Sequence, residues 1–356
     1  MKEKIIILRK SALTRRQQFT DEQLKKPIAF WTKEERLIDK KGKELTIILR
    51  TKGCGWALGE NGGCSMCGYI QDSCRENVSA EHIKNQFDYA LKMKLEEIQS
   101  SHDQFVIKIF NSGSFFDDGE IPVSTREYIY REIDKINNIK EVVVESRVEY
   151  ISKGKLEKMK NSLKEKYIEV AIGLETINDH IRNHYINKGL LLEDFLKVVN
   201  ICKELGIGIR VYLIFKPPFL NEQSAIEDCF LSLQKLVGLK VNTISINPVN
   251  IQRGTLVENL WYQKRYRPPW FYSLNKCMVS AYKRIPNINS VRIISDPSGA
   301  GTKRGIHNCL KRDCNEKMIK ALKNFVLTQD INYLKDVNDN SDCSCRLKYH
   351  LQKNYM

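Results

Sequence analysis

A chain of 356 residues that is 42% hydrophobic and 28% charged can bury one large core with a smaller unit beside it, and its apolar runs, such as Leu45–Leu49, are far too short to span a bilayer. The opening MKEKIIILRKSALTRR lacks a signal-peptide apolar region and cleavage site, and eleven cysteines are an odd count, so a cytoplasmic protein without a disulfide framework and without membrane contact is expected. A formal charge of +15 favours a polyanionic partner but does not separate RNA from DNA.

Residues 1–44 read as a basic, partly helical extension. Six short apolar strands are then predicted, at Leu45–Arg50, Phe105–Asn111, Glu141–Ser146, Tyr167–Leu174, Gly208–Phe215 and Thr243–Asn247. Helical stretches separate them. Ile83, Phe87, Ala90, Leu91, Leu95 and Ile98 fall on one helix face, and so do Leu191, Phe195, Val198, Val199, Cys202 and Leu205, with Gly206 as a stop signal. Strands alternating with helices imply parallel units with right-handed crossovers. The expected fold is therefore α/β, an open partial (β/α)6 barrel of TIM type over residues 45–250, with its chemistry at the C-terminal ends of the strands. The alternation stops near Gln252, where a C-terminal cysteine-rich region, residues 251–356, begins, and RYRPPW (265–270) reads as a break before its smaller unit.

The first of these strands runs into TKGCGWALGENGGCSMCGYI, where Cys54, Cys64 and Cys67 are spaced C-x9-C-x2-C among four glycines. Three thiolates can hold three corners of a [4Fe–4S] cluster and leave one iron open. A zinc knuckle with Cys74 as fourth ligand is the alternative, and the position at the chemical end of a barrel strand favours the cluster. This spacing, in this strand context, resembles radical S-adenosylmethionine (SAM) enzymes, in the branch of the elongator catalytic subunit. The resemblance covers residues 44–250 and implies that the open iron chelates SAM, which is cleaved reductively to a 5′-deoxyadenosyl radical.

In that family the turn after the second barrel strand meets the SAM amino group; Ser112, Gly113 and Ser114 match it in kind, without the usual double glycine. Strand three ends in VVVESRVEY. Glu145 can accept from ribose hydroxyls and Arg147 can clamp a carboxylate, unless the two pair with each other. Glu175, closing IGLE, is a ribose-binding candidate. HIRNHYINKG (180–189) resembles a SAM-contacting helix and turn, which makes Arg182 and Lys188 weaker candidates. Cys202, Cys229 and Cys277 read as filler, and His82, His180 and His184 as solvated helix residues.

Cys309, Cys314, Cys343 and Cys345 form two close pairs that suit a zinc site stapling a small domain, or a second iron–sulfur cluster, with His307 a possible substitute ligand. From RPPW through DPSGAG and RGIHNC to the closing D-C-x-C, the tail resembles the radical SAM subunits of archaeosine synthases. That resemblance implies a C–N lyase acting on tRNA whose position 15 carries a lysine adduct of 7-cyano-7-deazaguanine. It further implies a lysine-transferring partner subunit, a low-potential electron donor, and hydrogen abstraction from the lysine ε-carbon. It identifies no proton-transferring residue. Another radical SAM enzyme acting on RNA or a small molecule, and a non-catalytic zinc-dependent RNA-binding protein, are the remaining readings.

Overall fold

The computed structural model describes residues 1–335, 337 and 343–355. Its centre is one eight-stranded sheet in sequential order: β1 (Ala29–Arg36), β2 (Lys41–Leu49), β3 (Phe105–Asn111), β4 (Ile139–Glu145), β5 (Tyr167–Glu175), β6 (Gly208–Phe215), β7 (Thr243–Pro248) and β8 (Arg292–Ile294). From β2 to β8 every neighbouring pair is parallel. β1 pairs antiparallel with β2, Ala29 opposite Ile48 and Arg36 opposite Lys41. The six strands read from sequence are β2 to β7, with ends shifted by a residue or more in several cases.

Two strands were not expected. The lead-in is helical over Lys2–Leu13, but it then contributes β1 to the barrel wall. Past Gln252, β8 extends the parallel sheet beyond β7, so the alternation continues one strand further than expected. The two end strands approach each other through side chains: Arg292 of β8 donates to the Arg36 carbonyl at 2.9 Å, and Lys33 of β1 pairs with Asp296.

The helices form an outer layer whose apolar stripes meet the outward faces of the strands. Helix Ala80–Ser100 buries Ile83, Phe87, Ala90 and Ile98; helix Leu192–Glu204 buries Phe195, Val198, Val199 and Cys202. The inward faces are unusually polar. Glu169 takes Arg210 at 2.9 Å and Arg292 at 2.8 Å, Arg292 also reaches Glu141 at 3.1 Å, and Lys108 bridges Glu35 and Glu44. Buried ion pairs of this kind add little net stability once desolvation is counted. They occupy the N-terminal half of the barrel and leave the opposite mouth for the residues described next.

Candidate functional site

Cys54, Cys64 and Cys67 sit in the loop after β2, half-buried. The loop is held from three sides. Arg9, buried on helix Lys2–Leu13, donates to the carbonyls of Gly62 and Cys67, both at 2.7 Å, and of Cys64 at 3.4 Å. The segment after β5 supplies a second brace: Asn187 donates to the carbonyls of Asn61 (2.9 Å) and Gly63 (2.8 Å), the Ser65 N–H donates to the Ile186 carbonyl (2.7 Å), and Trp56 donates to the Asn187 carbonyl (2.8 Å). The third is Gln252, which accepts from the Gly68 N–H. Gly63 has φ +79°, and a Cβ there would lie 2.9 Å from Ala57, so this close turn needs glycine.

The thiols face one another's charge. Burial raises the Cys67 thiol to about 12, with Cys64 acting in the same direction and Arg9 opposing. Burial likewise raises Cys64, against Lys188 and Arg147. Three half-buried thiols in one loop, with Arg9, Lys188 and Arg147 near Cys64 and Cys67, offer the donor set and the surrounding positive charge that an anionic iron–sulfur cluster requires. One guanidinium nitrogen of Arg9, Nη1, is buried with no protein acceptor. Cys74, the alternative fourth ligand, is buried apart beside Arg16 and Arg50.

Glu145 and Glu175, at the ends of β4 and β5, converge on the same mouth. Glu175 accepts from Lys188 Nζ at 2.7 Å and has φ +68° at a register shift in the strand. A non-glycine residue held there is strained, as residues at functional sites often are. Burial lifts the Glu145 carboxyl to about 7, with Lys188 opposing and Glu175 adding. Arg147 does not pair with Glu145. It pairs with Glu149, donates to the Lys188 carbonyl at 3.1 Å, and lies 5.1 Å over the Trp56 ring. Glu145, Arg147, Glu175 and Lys188 therefore gather around the cysteine loop. Arg182 does not join them. It is fully buried and bound to Asp179, although the field of Glu175 reaches it.

The Ser112–Ser114 turn lies at the same end. Its organiser is Glu120, a buried carboxylate that accepts from Thr51 (2.7 Å), Asn111 (2.8 Å) and the Ser114 N–H (2.9 Å). A Cβ on Gly113 would strike Glu120 Oε1 at 1.7 Å, so the glycine admits the carboxylate. Neither Glu120 nor Arg9 was singled out from sequence. Arg9 lies in a helix with other basic residues and Glu120 just after Asp117 and Asp118, and only burial distinguishes each.

The second cysteine set is compact. The sulfurs of Cys309, Cys314, Cys343 and Cys345 all lie within 4.8 Å of one another, and Cys309 and Cys343 are 3.8 Å apart. A tetrahedral zinc with bonds of about 2.3 Å places its sulfurs about 3.8 Å apart. The Cys343 thiol is lowered to about 7, first by the Cys345 backbone N–H. His307 is not part of the quartet: its ring bonds the Gly305 carbonyl, and burial lowers it to about 4. Cys202, Cys229 and Cys277 are buried in the core. His82 bonds Asp21 and Ser79, while the rings of His180 and His184 lie 4.6 Å apart, tilted by 36°. A concavity of about 910 Å³ lined by Arg36, Asn242, Arg292 and Gln329 opens at the other end of the barrel, away from these groups. Among the described residues no helix is long and apolar enough to cross a membrane.

Residues 48–231 match the Radical SAM superfamily. The chain is 38% identical over 323 residues, 90% of its length and 96% of the relative's, to the archaeosine synthase subunit beta of Thermococcus kodakarensis. It is 38% identical over 320 residues to the subunit of the same name in Methanosarcina acetivorans, covering 90% and 88%. An uncharacterized protein of Methanocaldococcus jannaschii is 39% identical over 322 residues, covering 90% and 85%.

Proposed function

The chain belongs to the radical SAM superfamily and, within it, to the archaeosine synthase subunit beta family, and from that premise we propose that it is the C–N lyase of archaeosine formation. Its substrate is tRNA carrying the lysine adduct of 7-cyano-7-deazaguanine at position 15. A lysine-transferring subunit makes that adduct, and a low-potential donor supplies the electron. The observation that carries the reading is the convergence, at one barrel mouth, of the three cysteines with Glu145, Glu175, Arg147 and Lys188 in a chain so similar to the named subunits.

Cys54, Cys64 and Cys67 would hold a [4Fe–4S] cluster, and the fit rests on the donor set and the cations around it. Bound there, the cluster and SAM would supply reductively initiated radical chemistry directed at the lysine ε-carbon. The chain's own residues bind and orient. Glu175, kept in place by Lys188, and Glu145 offer acceptors for ribose hydroxyls. Arg147 braces Trp56 and the Lys188 turn and offers positive charge to the methionyl carboxylate of SAM. The backbone of Ser112, Gly113 and Ser114, shaped by Glu120, would receive the SAM amino group. Arg182 supports the segment that carries Lys188: its backbone carbonyl accepts from the Lys188 N–H at 3.0 Å. The C-terminal quartet would hold structural zinc, because its sulfur spacing suits one tetrahedral ion.

The test supplies reconstituted protein, SAM, a reductant and adduct-bearing tRNA under anaerobic conditions. 5′-Deoxyadenosine and archaeosine should form in step. Deoxyadenosine without archaeosine would preserve radical SAM chemistry and reject this substrate.

A further inference from the structure

On the outer flank of the cysteine loop, three arginines from three distant segments surround one small pocket. Arg15 follows the N-terminal helix, Arg50 follows β2, and Arg253 lies in the loop after β7. With Phe19, Gln71 and Asp72 they line a volume of about 390 Å³. Its charged lining is three guanidinium groups against one carboxylate. Among the described residues, none of the three arginines stands in an ion pair. Asp72 offsets only part of this charge: its field favours the Arg50 guanidinium, and burial raises its own carboxyl against the field of Arg50.

Arg50 is built in, while Arg15 and Arg253 are exposed at the rim. The Arg50 guanidinium lies over the Phe19 ring, 4.0 Å from its centroid, and its Nε is sealed from solvent with no acceptor. The backbone of Arg50 is pinned by Gln86, which accepts from its N–H at 2.7 Å and donates to its carbonyl at 3.1 Å. Gln71 donates to the Arg253 carbonyl, and Gln252 accepts from Gly68, so the loop after β7 is tied to the exit of the cysteine loop. The pocket thus has a fixed place against the segment that follows Cys67. Leaving guanidinium groups unpaired at a fixed site costs free energy through their mutual repulsion and the sealed N–H. A tetrahedral anion with several acceptor oxygens relieves the repulsion, since guanidinium forks match phosphate geometry.

We propose that this pocket binds a backbone phosphate of the RNA substrate, anchoring the tRNA on the outer rim of the cysteine loop while the modified base reaches the barrel mouth. This rests on the tRNA reading above and extends it to a named contact. It also gives part of the +15 charge a location.

The experiment uses the full chain with its cluster reconstituted, and an in vitro transcribed tRNA as probe. Dissociation constants are measured as a function of salt for wild type, R15E, R253E and the double variant. Both positions are exposed, and iron content and circular dichroism check that each variant remains folded and loaded. The double variant should bind tRNA about tenfold or more weakly near physiological salt, and its slope of log K against log salt should be shallower by about two. Arginine-to-lysine changes should retain most of the affinity, because each keeps the charge. Unchanged affinity and slope in the double variant overturn the proposal. So does binding of inorganic phosphate that the double variant loses while tRNA affinity stays intact, since the pocket would then serve a free anion. Failure of the archaeosine reading is separate: tRNA would bind through this pocket with the expected salt slope, yet no archaeosine would form.

Discussion

Arg9 reaches from the first helix to three carbonyls of a loop more than fifty residues away, and it is the side chain on which the geometry of the cysteine loop most depends. Truncating it strands buried acceptors, at about 1–3 kcal/mol for each unsatisfied group, and removes the positive charge nearest Cys67. Arg9→Ala should therefore lower the iron retained after reconstitution and desalting by at least about half, and shift the reduction potential of the remaining cluster to more negative values. Arg9→Lys, which keeps the charge but not the fork, should preserve the potential better than the iron content. Iron analysis with a potentiometric titration followed by electron paramagnetic resonance measures both. Wild-type iron and potential in Arg9→Ala would remove Arg9 from this positioning role. Residue-scale features of this kind are the least legible in sequence. The cysteine trio announces itself by spacing and glycine content. Glu145, Glu175 and Lys188 could be nominated because they close strands or the turn beyond one. Arg9 and Glu120 have no such frame: a single arginine in a basic helix looks solvated until its burial is known.

At the level of elements, the mouth depends on how the segment after β5 is fastened to helix Glu222–Gly238. Asp228 of that helix accepts from the Thr176 hydroxyl at 2.7 Å, and Ser232 accepts from the Ile177 N–H at 3.1 Å, directly beyond Glu175. Burial raises the Asp228 carboxyl to about 6, with the Thr176 bond and Arg182 opposing. A carboxyl whose folded value is raised contributes full stability below its ordinary value near 3.8 and loses it as pH rises through about 6. Asp228→Asn, which keeps an acceptor for Thr176 and carries no charge, should thus be more stable than wild type at pH 7, by an amount on the order of 3 kcal/mol at most. The difference should shrink toward pH 4. Denaturation midpoints across this range test it, and parallel profiles for the two proteins would count against it. Elements with a clean period were legible: the helix faces around Phe87 and Phe195, and the strands β2 to β7, carry apolar runs that leave little choice. β1 was hidden because AFWTKEER turns Glu35 inward to meet Lys108, which a hydropathy pattern counts as exposed charge. β8 was hidden because it has only three residues, one of them Arg292, whose partners Glu141 and Glu169 come from strands β4 and β5.

Across the whole molecule, the C-terminal cysteine quartet is joined to the barrel mouth by a continuous set of buried contacts. Trp270, Cys314, Cys345 and Tyr349 form one buried cluster, with the Tyr272 hydroxyl 3.2 Å from the Cys345 sulfur. Arg267 lies 3.6 Å over the Trp270 ring and donates to the carbonyls of His307 (2.9 Å) and Asn308 (3.0 Å). Its own carbonyl accepts from Lys216 Nζ at 3.0 Å, and Lys216 directly follows β6 and pairs with the buried Glu222 at 2.7 Å. Cys309, Cys314, Cys343 and Cys345 come from two loops and two helices, and the aromatic cluster beneath them is small. A zinc ion that binds only the folded arrangement adds its binding free energy to that of folding. The full chain should accordingly carry about one zinc in addition to the iron at the barrel mouth. Cys309→Ser combined with Cys343→Ser should abolish the zinc, introduce an earlier thermal transition for the C-terminal region and leave the iron of the Cys54 loop in place. Limited proteolysis should then cut the C-terminal region first, because Arg267 and Trp270 lose the face they pack against. Iron and sulfide in place of zinc would assign the quartet to a second cluster. A double variant with unchanged zinc and melting behaviour would show that the sulfurs, although gathered at single-ion spacing, hold no structural metal.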